Sequence, residues 1–158
     1  MVNLNTPKEV FDARRIAKAA LPPEVYAHTL RVVERIRGDT VVIWVNPEMV
    51  RETVVAYLHD VLEDSEWSLT DLIESGFNKF TVDAVEMLTR HPLVTYTEYI
   101  ESVKHFGGAA KAVKIADLED HLAEVETLKP SLKRRYEKAL AILSTGVDRR
   151  EVGRYIQS

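Results

Sequence analysis

The stretch from Met49 to Asp64, MVRETVVAYLHDVLED, reads as the centre of the fold. Met49, Val50, Val54, Val55, Tyr57, Leu58, Val61 and Leu62 make it apolar nearly all round at helical spacing, the pattern of a helix enclosed by others. Asn46 and Pro47 supply a cap and a first helical residue at its start. Such a helix needs partners on every side, and the rest of the chain offers them.

Upstream, Thr6 as cap and Pro7 as first helical residue open a helix over Pro7–Leu21, with Val10, Phe11, Ile16, Ala17 and Ala20 on its apolar face. Pro22 and Pro23 break it and start a second, carried by Val25, Leu30, Val32, Val33 and Ile36 until Gly38 stops it. The β-branched run TVVIWV between Asp39 and Asn46 predicts an extended or hairpin-like connection. Downstream, Ser68 to Asp71 is a capping box opening a short helix that ends at Gly76. Further helices are expected over Lys79–Arg90, Thr95–His105 and Ala109–Val125, and from Pro130 through Leu143, with a short one over Val147–Ile156. No period-2 pattern recurs and the loops are short. The expectation is an all-α, single-domain helical bundle over residues 1–158, with a motif-bearing core at about 13–122 and C-terminal helices over 130–156.

Composition narrows the chemistry. The 158 residues include no cysteine, which excludes disulfides, thiolate zinc sites, iron–sulfur ligation and cysteine nucleophiles, so any metal must be held by His, Asp and Glu. The 21 Lys+Arg against 25 Asp+Glu leave a net charge of −4 with no long basic run, which argues against binding duplex nucleic acid or anionic membranes. The longest apolar run, Val41 to Val45, falls far short of the ~20 residues of a membrane span, and no apolar signal core precedes it; a cytoplasmic protein is expected.

The central stretch closes on His59-Asp60-Val61-Leu62-Glu63-Asp64. Read as one continuous helix, it crowds three carboxylates at a C-terminal end, where the dipole favours cations and each like-charged i,i+4 pair costs ~0.2–0.5 kcal/mol. A divalent cation reverses that balance, with Asp60 as anionic and His59 as neutral ligand suiting manganese, iron or zinc. Two ligands do not fill a coordination sphere. His28, beside the apolar face of the second helix, and Asp117, inside an apolar later helix where an unpaired carboxylate is costly to bury, complete a set drawn from different helices.

At these residues the chain resembles the HD-domain phosphohydrolase superfamily, and more narrowly the hydrolase domain of the RelA/SpoT family and its small stand-alone relatives. The resemblance rests on AYLHDVLEDSEWSLTDLIESGF, VEMLTR, TYTEYIESV and AVKIADLEDHL, with His28 in the position of the first His, and covers about Ala13 to Leu122. It implies one manganese ion, or iron or zinc, held by His28, His59, Asp60 and Asp117. It implies that Glu63 and Asp64 position or activate the attacking water, and that the 3′-pyrophosphate of (p)ppGpp is hydrolysed. Small members often self-associate, so a homo-oligomer is among the states to expect.

Two departures bear on the substrate. Only LPPEVYA separates the first helix from His28, where relatives have a Gly-x-Pro-Tyr-like loop that helps grip the nucleotide, and the family's sugar-contacting Asn is here His121. Arg31, Arg90, Lys114 and His121 are the candidate substrate-binding residues. The alternatives are another nucleotide (NADPH, a dNTP or a nucleoside monophosphate) and a non-catalytic nucleotide-binding HD module.

Overall fold

A computed structural model describes residues 6–38, 44, 46–124 and 127–145. The expected connection over Asp39–Asn46 lies almost wholly, and the terminal helix over Val147–Ile156 entirely, outside the described residues. Those that are described form nine helices and no strand: α1 (Lys8–Ala20), α2 (Pro23–Arg37), α3 (Pro47–Leu58), α4 (Val61–Asp64), α5 (Leu69–Glu74), α6 (Lys79–Leu88), α7 (Tyr96–Phe106), α8 (Gly108–Ala123) and α9 (Pro130–Thr145). None is long and apolar enough to cross a membrane.

α3 is central, as its sequence demands. It packs against α1, α2, α6 and α8, and Val54, Val55, Ala56 and Leu58 are wholly buried. α8 is the second axis of the bundle, touching α2, α3, α6, α7 and α9. α9 closes the far side by packing on α7 and α8 through Ala139 and Leu143. The capping residues read from sequence do their work: Asn46 accepts from the Glu48 N–H, and Ser68–Asp71 forms a reciprocal capping box. Thr95 and Glu98 form a second box, so α7 starts at Tyr96 with Thr95 as cap. Gly107 has φ +70°, a left-handed conformation that lets the chain end α7 and enter α8 without a linker.

Several boundaries differ from the expectation. α1 begins at Lys8, because Pro7, at ψ 143°, is extended and occupies the cap position itself with no side-chain hydrogen bond; Thr6 does not cap the helix. Phe11 is 49% exposed: the buried stripe runs Val10, Ala13, Ile16 and Ala17, and a residue next to Val10 points about 100° away from it. α6 stops at Leu88 rather than Arg90, with Thr89 extended.

The largest difference is at the central helix, which does not run on to Asp64. α3 ends at Leu58 and the four-residue α4 restarts at Val61. The His59 Nδ1–H donates to the Ala56 carbonyl at 2.7 Å, the acceptor that the Asp60 N–H takes in a continuing helix, and Asp60 moves to φ −102°, ψ −2°. The side chain thus competes with the backbone for one acceptor and ends the helix.

Ile100 of α7 is fully buried. Ile100→Ala is expected to cost about 2–5 kcal/mol, read as a lower melting temperature by circular dichroism, whereas Phe11→Ser should stay within about 0.5 kcal/mol of the parent.

Candidate metal centre and cleft

Three elements bring four side chains to one point: α2 carries His28, the α3–α4 junction carries His59 and Asp60, and α8 carries Asp117. His28 Nε2 lies 2.8 Å from Asp117 Oδ1 and 3.9 Å from Asp60 Oδ2. His59 Nε2 lies 3.1 Å from Asp60 Oδ2 and 3.6 Å from Asp117 Oδ1. His28, His59 and Asp117 are buried, and the two imidazoles meet edge to face at 5.6 Å.

The protonation pattern follows from what each ring faces. His59 Nδ1 faces a carbonyl, which only accepts, so the proton sits there. Its Nε2 is buried, makes no hydrogen bond, and turns toward two carboxylates. In the neutral ring that atom is a lone pair facing negative charge. Either a proton or a cation must stand between them. Burial lowers the pKa of both histidines, but the carboxylates outweigh it, and with protons alone His28 is raised and His59 well raised. A divalent cation suits the same geometry: His28, His59 and Asp117 bring two imidazole nitrogens and a carboxylate close enough to share one ion, a donor set for a borderline metal, and Asp60, which also groups with Glu63 and Asp64, stands beside them.

Each ligand is held from behind. The Asp120 carboxylate, in a residue 2% exposed, accepts from His28 Nδ1–H at 2.7 Å and directs Nε2 toward Asp60 and Asp117. Burial works against the ionised form of Asp120, but Arg31 Nε, 3.1 Å from both its oxygens, and His28 outweigh it, so its pKa is lowered; Arg35 Nε approaches to 3.5 Å. Burial likewise opposes ionised Asp117, and the Lys114 ammonium at 2.9 Å with the histidine hydrogen bonds holds it well below the usual carboxylate range. Lys114, itself buried at the cost of its charge, is raised by the same pairing.

A cleft of ≈ 260 Å³ opens beside these residues. His59, Asp60, Glu63, Lys114 and Asp117 line it together with Arg90, Tyr96, Tyr99, Arg135 and Tyr136. Glu63 accepts from the Arg90 N–H at 3.1 Å, and burial together with Asp60 raises its pKa. Asp64 groups with Asp60 and Glu63, is raised by burial and by Asp60, and lies outside the cleft lining. α4 is a single turn of four residues, so Glu63 and Asp64 no longer sit at the C-terminal end of the long central helix.

The other sequence candidates separate. Arg90 and Lys114 line the cleft; Arg31 does not, being engaged by Asp120. His121 places Nε2 3.3 Å from Asp117 Oδ1, and its ring stacks on His28 at 4.6 Å and on Tyr136 at 5.3 Å. His91 and His105 are exposed and belong to no metal-holding group among the described residues. Asp120, Arg135 and Tyr136 were not anticipated. Asp120 stands three residues after Asp117 on the same apolar face, and Arg135 stands four and eight residues before the buried Ala139 and Leu143, so both positions carried a periodic signal.

No family model matches the chain and no curated protein matches its sequence. The fold is that of a solved structure, a metazoan ortholog of SpoT that hydrolyzes ppGpp and plays a role in starvation responses. The two share 18% identity with a TM-score of 0.68, over 90% of this chain and 89% of that one. The resemblance in the motifs and the likeness in the fold thus point the same way.

A metal that binds only the folded chain stabilises it by about 2.7 kcal/mol at a hundredfold excess over Kd. Adding manganese to chelator-treated protein is therefore expected to raise the melting temperature by about 5–10 °C. His59→Ala should abolish the rise, and Asp120→Asn should weaken metal affinity about 10–100-fold. A melting temperature indifferent to metal counts against the centre.

Proposed function

We propose that the protein is a metal-dependent phosphohydrolase that removes the 3′-pyrophosphate of a ppGpp-type nucleotide. The observation that carries this reading is the convergence of His28, His59, Asp60 and Asp117 around the unpartnered Nε2 of His59. These four residues would hold manganese, iron or zinc. When bound, the ion would acidify a water and offset charge on the phosphoryl oxygens. The fold shared with a ppGpp-hydrolysing protein supports the choice of substrate class.

The chain's own groups supply the rest. Glu63 is the better placed of the two acids to accept the proton of the attacking water: it lines the cleft, its pKa is displaced upward toward neutrality, and the Arg90 N–H fixes its carboxylate. Asp64, beside it and outside the lining, helps set its charge. Lys114 holds Asp117 ionised and keeps its ammonium on the cleft wall, where it meets developing phosphoryl charge. Tyr99 donates its hydroxyl proton to the Leu88 carbonyl at 2.6 Å, pinning the end of α6 near Arg90. The partner is a small nucleotide rather than duplex nucleic acid, and the setting is the cytoplasm.

One observation favours a second reading with a different nucleotide. His121 is stacked between His28 and Tyr136 and bonded to Asp117, so its ring is engaged within the site rather than free for a sugar. NADPH, dNTPs and nucleoside monophosphates belong in the same assay.

Metal-loaded protein is expected to release pyrophosphate from ppGpp and to stop when a chelator is added. Asp60→Ala should abolish turnover. Glu63→Gln should lower kcat about 10²–10⁴-fold with metal affinity retained, whereas Asp64→Asn should cost less. Release of phosphate from another nucleotide, with none from ppGpp, moves the assignment to the second reading; activity that survives chelation overturns both.

A further inference from the structure

The half of α9 that walls the cleft is the half with no buried residue. Ala139 and Leu143, the buried residues of that helix, lie in its second half, whereas Arg135 and Tyr136, which line the cleft, lie in its first. Ahead of Ala139 the apolar contact with the core is made by Tyr136. Its ring lies 5.3 Å from that of His121 at 27°, and the His121 ring lies 4.6 Å from that of His28 at 25°. Three near-parallel rings on α9, α8 and α2 thus run from the cleft wall to a candidate metal ligand, at separations where ring pairs attract. Tyr136 also meets Tyr96 of α7 at 6.4 Å.

The stack does something for His28 that its hydrogen bonds do not. Asp120 and Asp117 hold the imidazole by its edge, at 2.7 and 2.8 Å, and so limit where it sits in its own plane. The His121 ring bears on its face and limits motion out of that plane. His121 does not line the cleft, and its Nε2, 3.3 Å from Asp117 Oδ1, ties it to a second ligand. Its place in the molecule is between Tyr136 and the centre.

We propose that Tyr136 and His121 are positioning residues that couple the metal centre to the cleft wall. With α9 docked, the stack orders the His28 imidazole; filling the centre in turn tightens the docking of residues 130–138, because coupling between two sites is reciprocal. The cleft is then complete in the loaded protein, which makes the metal the first ligand to bind and the nucleotide the second. The inference rests on the metal-centre reading and deepens it, and it requires neither turnover nor a particular nucleotide.

The test measures hydrogen exchange of α9 by mass spectrometry and manganese affinity by calorimetry, both on the full chain without nucleotide. In the parent, manganese is expected to slow exchange across 130–138 by about fivefold or more, the lower end of ordinary coupling between sites, with less change across 139–145. Tyr136→Ala should abolish the slowing and weaken manganese binding by a similar factor. Tyr136→Phe, which keeps the ring, should retain both effects; Tyr136→Leu, which keeps apolar bulk without one, should lose both, and this pair decides the matter if the alanine variant fails to fold. Exchange across 130–138 that ignores manganese in a protein that binds it overturns the coupling and leaves the metal centre standing, as does a Tyr136→Leu variant indistinguishable from Tyr136→Phe. A parent that binds no manganese overturns the centre and the coupling together.

Discussion

The buried lone pair of His59 turned toward Asp60 and Asp117 is the constraint around which the rest of the structure is arranged. Nε2 has no hydrogen-bond partner, and the oxygens in front of it repel an unprotonated ring. Placing two carboxylates and two imidazoles in a mostly buried position is costly unless something positive occupies the centre. The surrounding groups keep that demand unmet by the protein itself. Asp120 takes the outward proton of His28, Ala56 takes that of His59, and Lys114 binds the far oxygen of Asp117. The inward-facing atoms are left to a cation.

α8 carries much of this burden. Asp117 stands three residues from Lys114 and from Asp120 and four from His121, so the four lie around one face of the helix. Val113, Ala116 and Leu118 bury the helix against its neighbours, and that packing fixes where the polar face points. Arg31 and Arg35 of α2 then tie Asp120 to the helix that carries His28. Core and centre are therefore coupled: α2 and α8 pack directly on each other, and that packing also sets the His28–Asp117 distance.

Much of this was legible in the chain. The apolar circumference of 49–62 announced a central helix, and Asn46 and Ser68 marked starts correctly because capping is a local, side-chain-to-backbone effect, whereas Thr6 did not, Pro7 taking the cap position itself. The four convergent residues were visible as polar positions on otherwise apolar helices. What escaped was set by competition or by tertiary packing. The end of α3 at Leu58 depends on the His59 ring capturing a carbonyl, which no helix period reveals. Arg135 stands in a basic run with Lys133 and Arg134, and only the packing of Ala139 and Leu143 places it at Tyr96. The pairing of Arg31 with Asp120 joins α2 to α8, a tertiary contact that no spacing along either helix reveals.

The interruption between α3 and α4 separates two parts that a continuous helix would have welded together. His59 is positioned by the packed end of α3, whereas Glu63 and Asp64 are positioned by α4 and the turn beyond it, where Ser65 Oγ donates to the Val61 carbonyl at 2.6 Å and accepts from the Trp67 N–H. A change of sequence in the loop after Asp64 can therefore shift the Glu63 and Asp64 carboxylates with the imidazole left in register. Substitutions around α3 and substitutions around α4 thus act on different groups, the first on the buried ring and the second on the paired acids, and the two can vary independently among related chains.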